Sequence, residues 1–134
     1  MEFKAIDVDF GSIVGIVMSH VERSDDNDRI DFRATDGRRF VMQHYQDCCE
    51  CVEIEDLVGD LQDLVGEPIL LAEAVSGETA QPAGWDGECG DDSCTWTFYK
   101  LATRKGYVDI RWLGTSNGYY SEEVSFVQMV PRNA

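Results

Sequence analysis

Apolar and polar positions change period several times along the chain, and each change marks an element. Ile13 to Val21 is rich in β-branched residues and reads as a strand, or as a helix-to-strand entry. Ser24-Asp25-Asp26-Asn27-Asp28 has the composition of a polar turn. Ile30 to Ala34 alternates apolar and polar, the two-residue period of a half-buried strand. Asp36-Gly37 predicts a type I′ hairpin turn, because both residues tolerate positive φ. Arg39 to Tyr45 then makes the returning strand, so the N-terminal half reads as an antiparallel meander.

Beyond Tyr45 the period shifts. Leu57, Val58, Leu61, Leu64 and Val65 fall on one helical face, with Gly66 and Pro68 as the stop. Asp56, Asp60, Asp63 and Glu67 share the opposite face as an acidic stripe. Pro68 to Val75 suits a buried strand. Ser76 to Ser93 is rich in Gly and acidic residues and reads as a long flexible loop. Thr95 to Tyr99 and Tyr107 to Leu113 are strongly β, joined by a turn at Arg104-Lys105-Gly106. A second turn at Ser116-Asn117-Gly118 leads into a strand ending near Val130. The expected fold is α+β: an antiparallel meander, one short amphipathic helix and a long acidic loop, in a single domain spanning residues 1–134.

Charge sharpens this picture. The net charge is −15, and Phe40 to Tyr99 holds 14 acidic residues and no Lys or Arg. The remainder carries 12 acidic and 11 basic residues. Such a field repels nucleic acid and anionic membranes and attracts basic surfaces; its bland alternative is solubility alone. No apolar run approaches the roughly 18 residues that cross a bilayer. The first residues lack the basic start and apolar core of a secretory signal, so a cytosolic protein is expected. Five cysteines are then expected to be reduced, and their odd number argues against a closed disulfide framework.

The densest chemistry lies in His44-Tyr45-Gln46-Asp47-Cys48-Cys49-Glu50-Cys51. Imidazole and thiolate are the ligands Zn²⁺ prefers, so His44, Asp47, Cys48, Cys49 and Cys51 are the candidate metal ligands. A helical turn puts His44, Asp47, Cys48 and Cys51 on one side; an extended chain puts His44 and Cys48 together. Cys89 or Cys94 could add a ligand from the long loop. A structural Zn²⁺ is favoured over a catalytic one, since no H-E-x-x-H motif is present. Ordinary burial of the cysteines is the alternative, and a cysteine nucleophile with His44 as its base is a further one. His20 sits on an apolar strand and reads as structural.

Several stretches together carry a resemblance. They are His44-x-Gln46-Asp47-Cys48-Cys49-Glu50, Ile54-Glu55-Asp56, Gly59-Asp60-Leu61, Trp96 to Lys100, Ile110-Arg111-Trp112 and Ser116 to Glu122. Over roughly Phe40 to Val124 the chain resembles a family of small phage- and prophage-associated proteins of unassigned function. The resemblance puts its weight on His44, Asp47, Cys48 and Cys49, while Cys51, Cys89 and Cys94 lie outside the motif. In type, size and charge the chain also resembles anti-CRISPR proteins. That likeness implies a non-enzymatic inhibitor that docks on a basic surface of a host CRISPR effector nuclease, Cas9 above all, and blocks nucleic-acid loading. Asp56, Asp60, Asp63, Glu67 and Trp85 are the expected partner-binding residues. A zinc- or thiol-dependent enzyme and a phage accessory or scaffold protein are the competing expectations.

Overall fold

Alternation in steps of two, rather than helical periodicity, governs nearly all of the chain that the computed structural model describes, namely residues 3–46, 49–77, 93–116 and 121–131. In order, the strands are β1 (Phe3–Asp7), β2 (Met18–Arg23), β3 (Arg29–Ala34), β4 (Arg39–Gln43), β5 (Cys51–Val58), β6 (Leu71–Gly77), β7 (Ser93–Thr103), β8 (Gly106–Ser116) and β9 (Ser125–Pro131). They form two antiparallel sheets, ordered β1-β9-β4-β3-β2 and β5-β8-β7-β6. Two short 3-10 turns, Phe10–Ile13 and Leu61–Leu64, are the helical elements among the described residues.

One core cluster joins the sheets. Ile30, Phe32, Phe40, Met42 and Phe126 come from the first sheet, and Val52, Ile54, Leu101, Val108, Ile110 and Trp112 from the second. Each set is the inward half of an alternating strand: in β3, Ile30, Phe32 and Ala34 are buried while Arg29 and Arg33 are exposed. Contacts across the interface include the Trp112 indole N–H donating to Met42 Sδ at 3.3 Å. Phe10, from the first 3-10 turn, lies edge-on to both Tyr99 and Phe126 at ring separations of 4.8 and 4.9 Å. Fully burying side chains of this size contributes about 2–3 kcal/mol each.

The expected α+β class is corrected to two packed β-sheets. The predicted helix over Leu57 to Val65 is instead the end of β5 followed by the 3-10 turn Leu61–Leu64. Gly59 makes the break. Its φ is +105°, and a Cβ there would run into the Tyr107 carbonyl oxygen. Leu64 is buried and Leu57, Leu61 and Val65 are half-buried, so the apolar spacing reflects burial from a strand end and a turn. Val58, counted on the helical face, is 60% exposed.

Smaller corrections follow. The β3–β4 hairpin forms with Phe32 opposite Phe40, but its turn is not type I′. Gly37 alone takes a positive φ, Gly37 N–H donates to the Ala34 carbonyl, and Ala34 N–H donates to that of Arg38. That is a three-residue loop with glycine in the left-handed position. The strand expected over Pro68 to Val75 is displaced to Leu71–Gly77, and Glu73, Ala74, Val75 and Ser76 are exposed. The expected loop over 76–93 lies almost wholly outside the described residues.

Candidate functional site

The chain crosses from the first sheet to the second between β4 and β5, and that crossing carries the residues with most chemistry. His44 follows β4 directly. Its Nε2 lies 2.8 Å from Glu50 Oε2, and its Nδ1 lies 2.7 Å from the Glu123 carbonyl oxygen. A carbonyl only accepts, so Nδ1 carries a proton and donates it. Nε2 therefore shares one proton with Glu50, as imidazolium and carboxylate or as imidazole and carboxylic acid. The two side chains are 4% and 0% exposed. Gln46 donates from Nε2 to the Glu50 carbonyl at 2.7 Å and to Oε1 at 3.2 Å.

A second buried carboxylate completes this end of the molecule. Glu122 accepts from Thr95 Oγ1 at 2.7 Å and from Ser116 Oγ. Gly114 leaves room for it, since a Cβ there would stand 2.8 Å from Glu122 Cβ. Nearby, burial pushes the pKa of the Tyr99 hydroxyl well above the usual phenol range, with a smaller contribution from the charge of Glu123.

This geometry revises the metal reading. Asp47 and Cys48 lie outside the described residues. Cys49 and Cys94 are each in a disulfide, so the expectation of five reduced thiols is corrected: an odd count excludes complete pairing, not pairing. Both nitrogens of His44 are committed to other partners. Cys51 stands on β5 opposite Thr115, on the outward face of the second sheet. Among the described residues no three of His, Cys, Asp and Glu form a group that could hold a metal ion. Of the five candidate ligands, the three that are described, His44, Cys49 and Cys51, do not by themselves make up a Zn²⁺ ligand set.

The outward face of the second sheet forms a grid fixed by its register. One row across β5, β8, β7 and β6 reads Val58, Asp109, Lys100, Glu73, and the next reads Asp56, Arg111, Phe98, Val75. The first row alternates in sign, which favours its cross-strand neighbours. In the second, Arg111 pairs with Glu55 and, at 3.5 Å, with Asp56, while its guanidinium lies 5.7 Å from the Trp96 ring centroid. Between the rows is a hollow of about 410 Å³ lined by Asp56, Val58, Phe98, Lys100, Asp109 and Arg111. Val58, Val75 and Tyr107 are exposed by 60%, 59% and 73%.

The predicted acidic stripe is not the face of a helix, because its residues lie on a strand end, a 3-10 turn and the segment after it. Asp56 belongs to the grid. Asp60 caps the second 3-10 turn by accepting from Gln62 N–H. Asp63 is half-buried beneath Gly106, and its carbonyl accepts from Thr103 Oγ1. Glu67 pairs with Arg104 at 3.2 Å. Trp85 lies outside the described residues. Sequence reasoning missed the roles of Glu50 and Glu122; the available signal for Glu50 was a carboxylate six residues from the histidine.

A family model described as a domain of unknown function, DUF7448, matches residues 5–126. No curated protein and no solved structure matches the chain.

Proposed function

The chain belongs to the DUF7448 family, and from that premise we propose that it acts as a non-enzymatic binding module whose second-sheet face docks on a basic surface of a partner protein. The carrying observation is the composition of that face. Exposed Val58, Val75 and Tyr107 stand among Glu53, Glu55, Asp56, Glu73 and Asp109, against Lys100 and Arg111. Apolar contacts supply affinity, while the acidic surround selects and steers a cationic partner. Ion pairing of Arg111 holds part of the face in place before binding.

The polar groups elsewhere favour a binding role over catalysis. The His44–Glu50 pair is sealed from substrate by its burial. Ser19 and His20 are adjacent at 3.0 Å, but the Ser19 hydroxyl donates to the Arg33 carbonyl, so the imidazole is not its base.

The narrow form of the proposal, implied by the resemblance in type to anti-CRISPR proteins, has Cas9 as the partner. Association with Cas9 and its guide loading, followed across a salt series, tests it. Absence of association at every salt concentration removes Cas9. Two variants of equal charge change test the face itself, with Cas9 or a strongly cationic test protein as the probe. Glu73→Lys with Asp109→Lys alters the face, and Asp25→Lys with Asp26→Lys alters the β2–β3 turn, which belongs to the first sheet. The face variant is expected to lose about tenfold more affinity, the equivalent of one good charged contact. Equal losses would mean that only total charge is felt.

A further inference from the structure

The outward face of the first sheet carries an arrangement that its own register disfavours. Arg33 on β3 lies directly opposite Arg39 on β4, and His20 on β2 lies opposite Arg33. Residues directly opposite on one face stand about 5 Å apart at Cβ, and like charges there repel. Arg29, Arg38, Arg104 and Arg111 each pair with a carboxylate. Arg33 and Arg39 make no ion pair among the described residues.

The geometry points to an oxyanion-binding site at this row, one that takes a single, singly charged group such as a carboxylate or a phosphodiester. A hollow of about 150 Å³ opens beside it, lined by His20, Glu22, Asp31, Phe32, Arg33 and Arg39. Asp31 is committed to Arg29 at 3.0 Å. Glu22 lies opposite Asp31 in the adjoining row, so with Asp31 held by Arg29 the two arginines of the hollow outnumber its remaining carboxylate by one. That balance suits a monoanion. Two guanidiniums offer paired N–H donors with the planar geometry that carboxylates and phosphodiesters accept. The net charge of −15 turns away a polyanion, which confines the ligand to one small group or one side chain. Like charges held directly opposite one another disfavour the row by themselves, and a bound anion between them offsets that repulsion.

The test is a titration of the full chain with acetate and, separately, dimethyl phosphate at constant ionic strength, followed by NMR of the arginine Nε–H groups and the His20 ring. Saturable shifts at Arg33, Arg39 and His20 with at least one probe are expected, and the probe that saturates identifies the anion class. Arg33→Gln and Arg39→Gln should each weaken binding about tenfold or more, while Arg104→Gln leaves it unchanged. Both row variants relieve repulsion, so folding is retained. Shifts that never saturate, or an equal loss in Arg104→Gln, overturn the site.

Discussion

Removing His44 and removing the charge of Glu50 have very different expected costs, although the two side chains form one pair. With side chains 4% and 0% exposed, neither group has water to fall back on. His44→Ala leaves the Glu50 carboxylate buried without the proton it shares and frees the Glu123 carbonyl from its donor. Breaking a buried pair from one side costs about 3–5 kcal/mol. Glu50→Gln is different. Its amide can donate to neutral Nε2, which is already set as the acceptor because Nδ1 donates to Glu123. The remaining amide oxygen still accepts from Gln46, now 3.2 Å from Oε1. The expected cost is therefore only about 1 kcal/mol. Urea unfolding with an unchanged slope gives both numbers from the shift in midpoint. If Glu50→Gln costs as much as His44→Ala, or His44→Ala costs under about 1 kcal/mol, the proton assignment is wrong.

Other expectations follow from single residues. Cys94→Ser opens a disulfide and should lower stability by about 2–4 kcal/mol, with wild type in reductant falling at least as far; an unchanged melting temperature in reductant would argue against the bond. Tyr99 has a raised folded pKa, so its contribution is complete below the unfolded phenol value of 10.0 and declines as the pH rises above it. The decline is about 1.4 kcal/mol per pH unit, and Tyr99→Phe should abolish that slope in denaturation measured through the alkaline range; parallel curves would refute it. Gly59→Ala combines a φ of +105° with a collision against the Tyr107 carbonyl. A loss of about 2 kcal/mol or more is expected by thermal unfolding, and a neutral result would mean the β5 end can shift.

Strands were legible because alternation is a local signal. Ile30, Phe32 and Ala34 point inward in sequence pattern and in space alike. The helix was misread because Leu57, Leu61, Leu64 and Val65 are spaced like a helical face yet reach the core from a strand end and a 3-10 turn. Period alone does not separate these cases over nine residues. The glycine at 59 was a clue to the break. For the candidate site the limit was different. His44 and its neighbouring thiols were visible, but the histidine's partners are Glu50 and the carbonyl of Glu123, 79 residues away. The pairing of β4 with β9, Gln43 opposite Ser125, brings that carbonyl to the ring. Cross-strand charge neighbours were equally hidden, because they depend on register.

Once register is fixed, one row on each outward face handles charge in the opposite way to the other. On the second sheet Asp109, Lys100 and Glu73 alternate in sign across three strands. On the first sheet His20, Arg33 and Arg39 place imidazole and like charge side by side. A surface selected only for solubility has no reason to compensate one row and leave the other uncompensated, so the difference favours two separate recognition surfaces. The two faces lie on opposite sides of a shared core, beyond the Debye length of about 8 Å at physiological salt. Their ligands should therefore bind independently. Glu73→Lys with Asp109→Lys should leave oxyanion titration of the first sheet within about twofold of wild type, and Arg33→Gln should leave docking of a cationic protein equally unaffected. Calorimetry of each variant with each probe measures all four combinations. If either face's variant abolishes the other's binding, one long-range field governs both and the division into two sites fails.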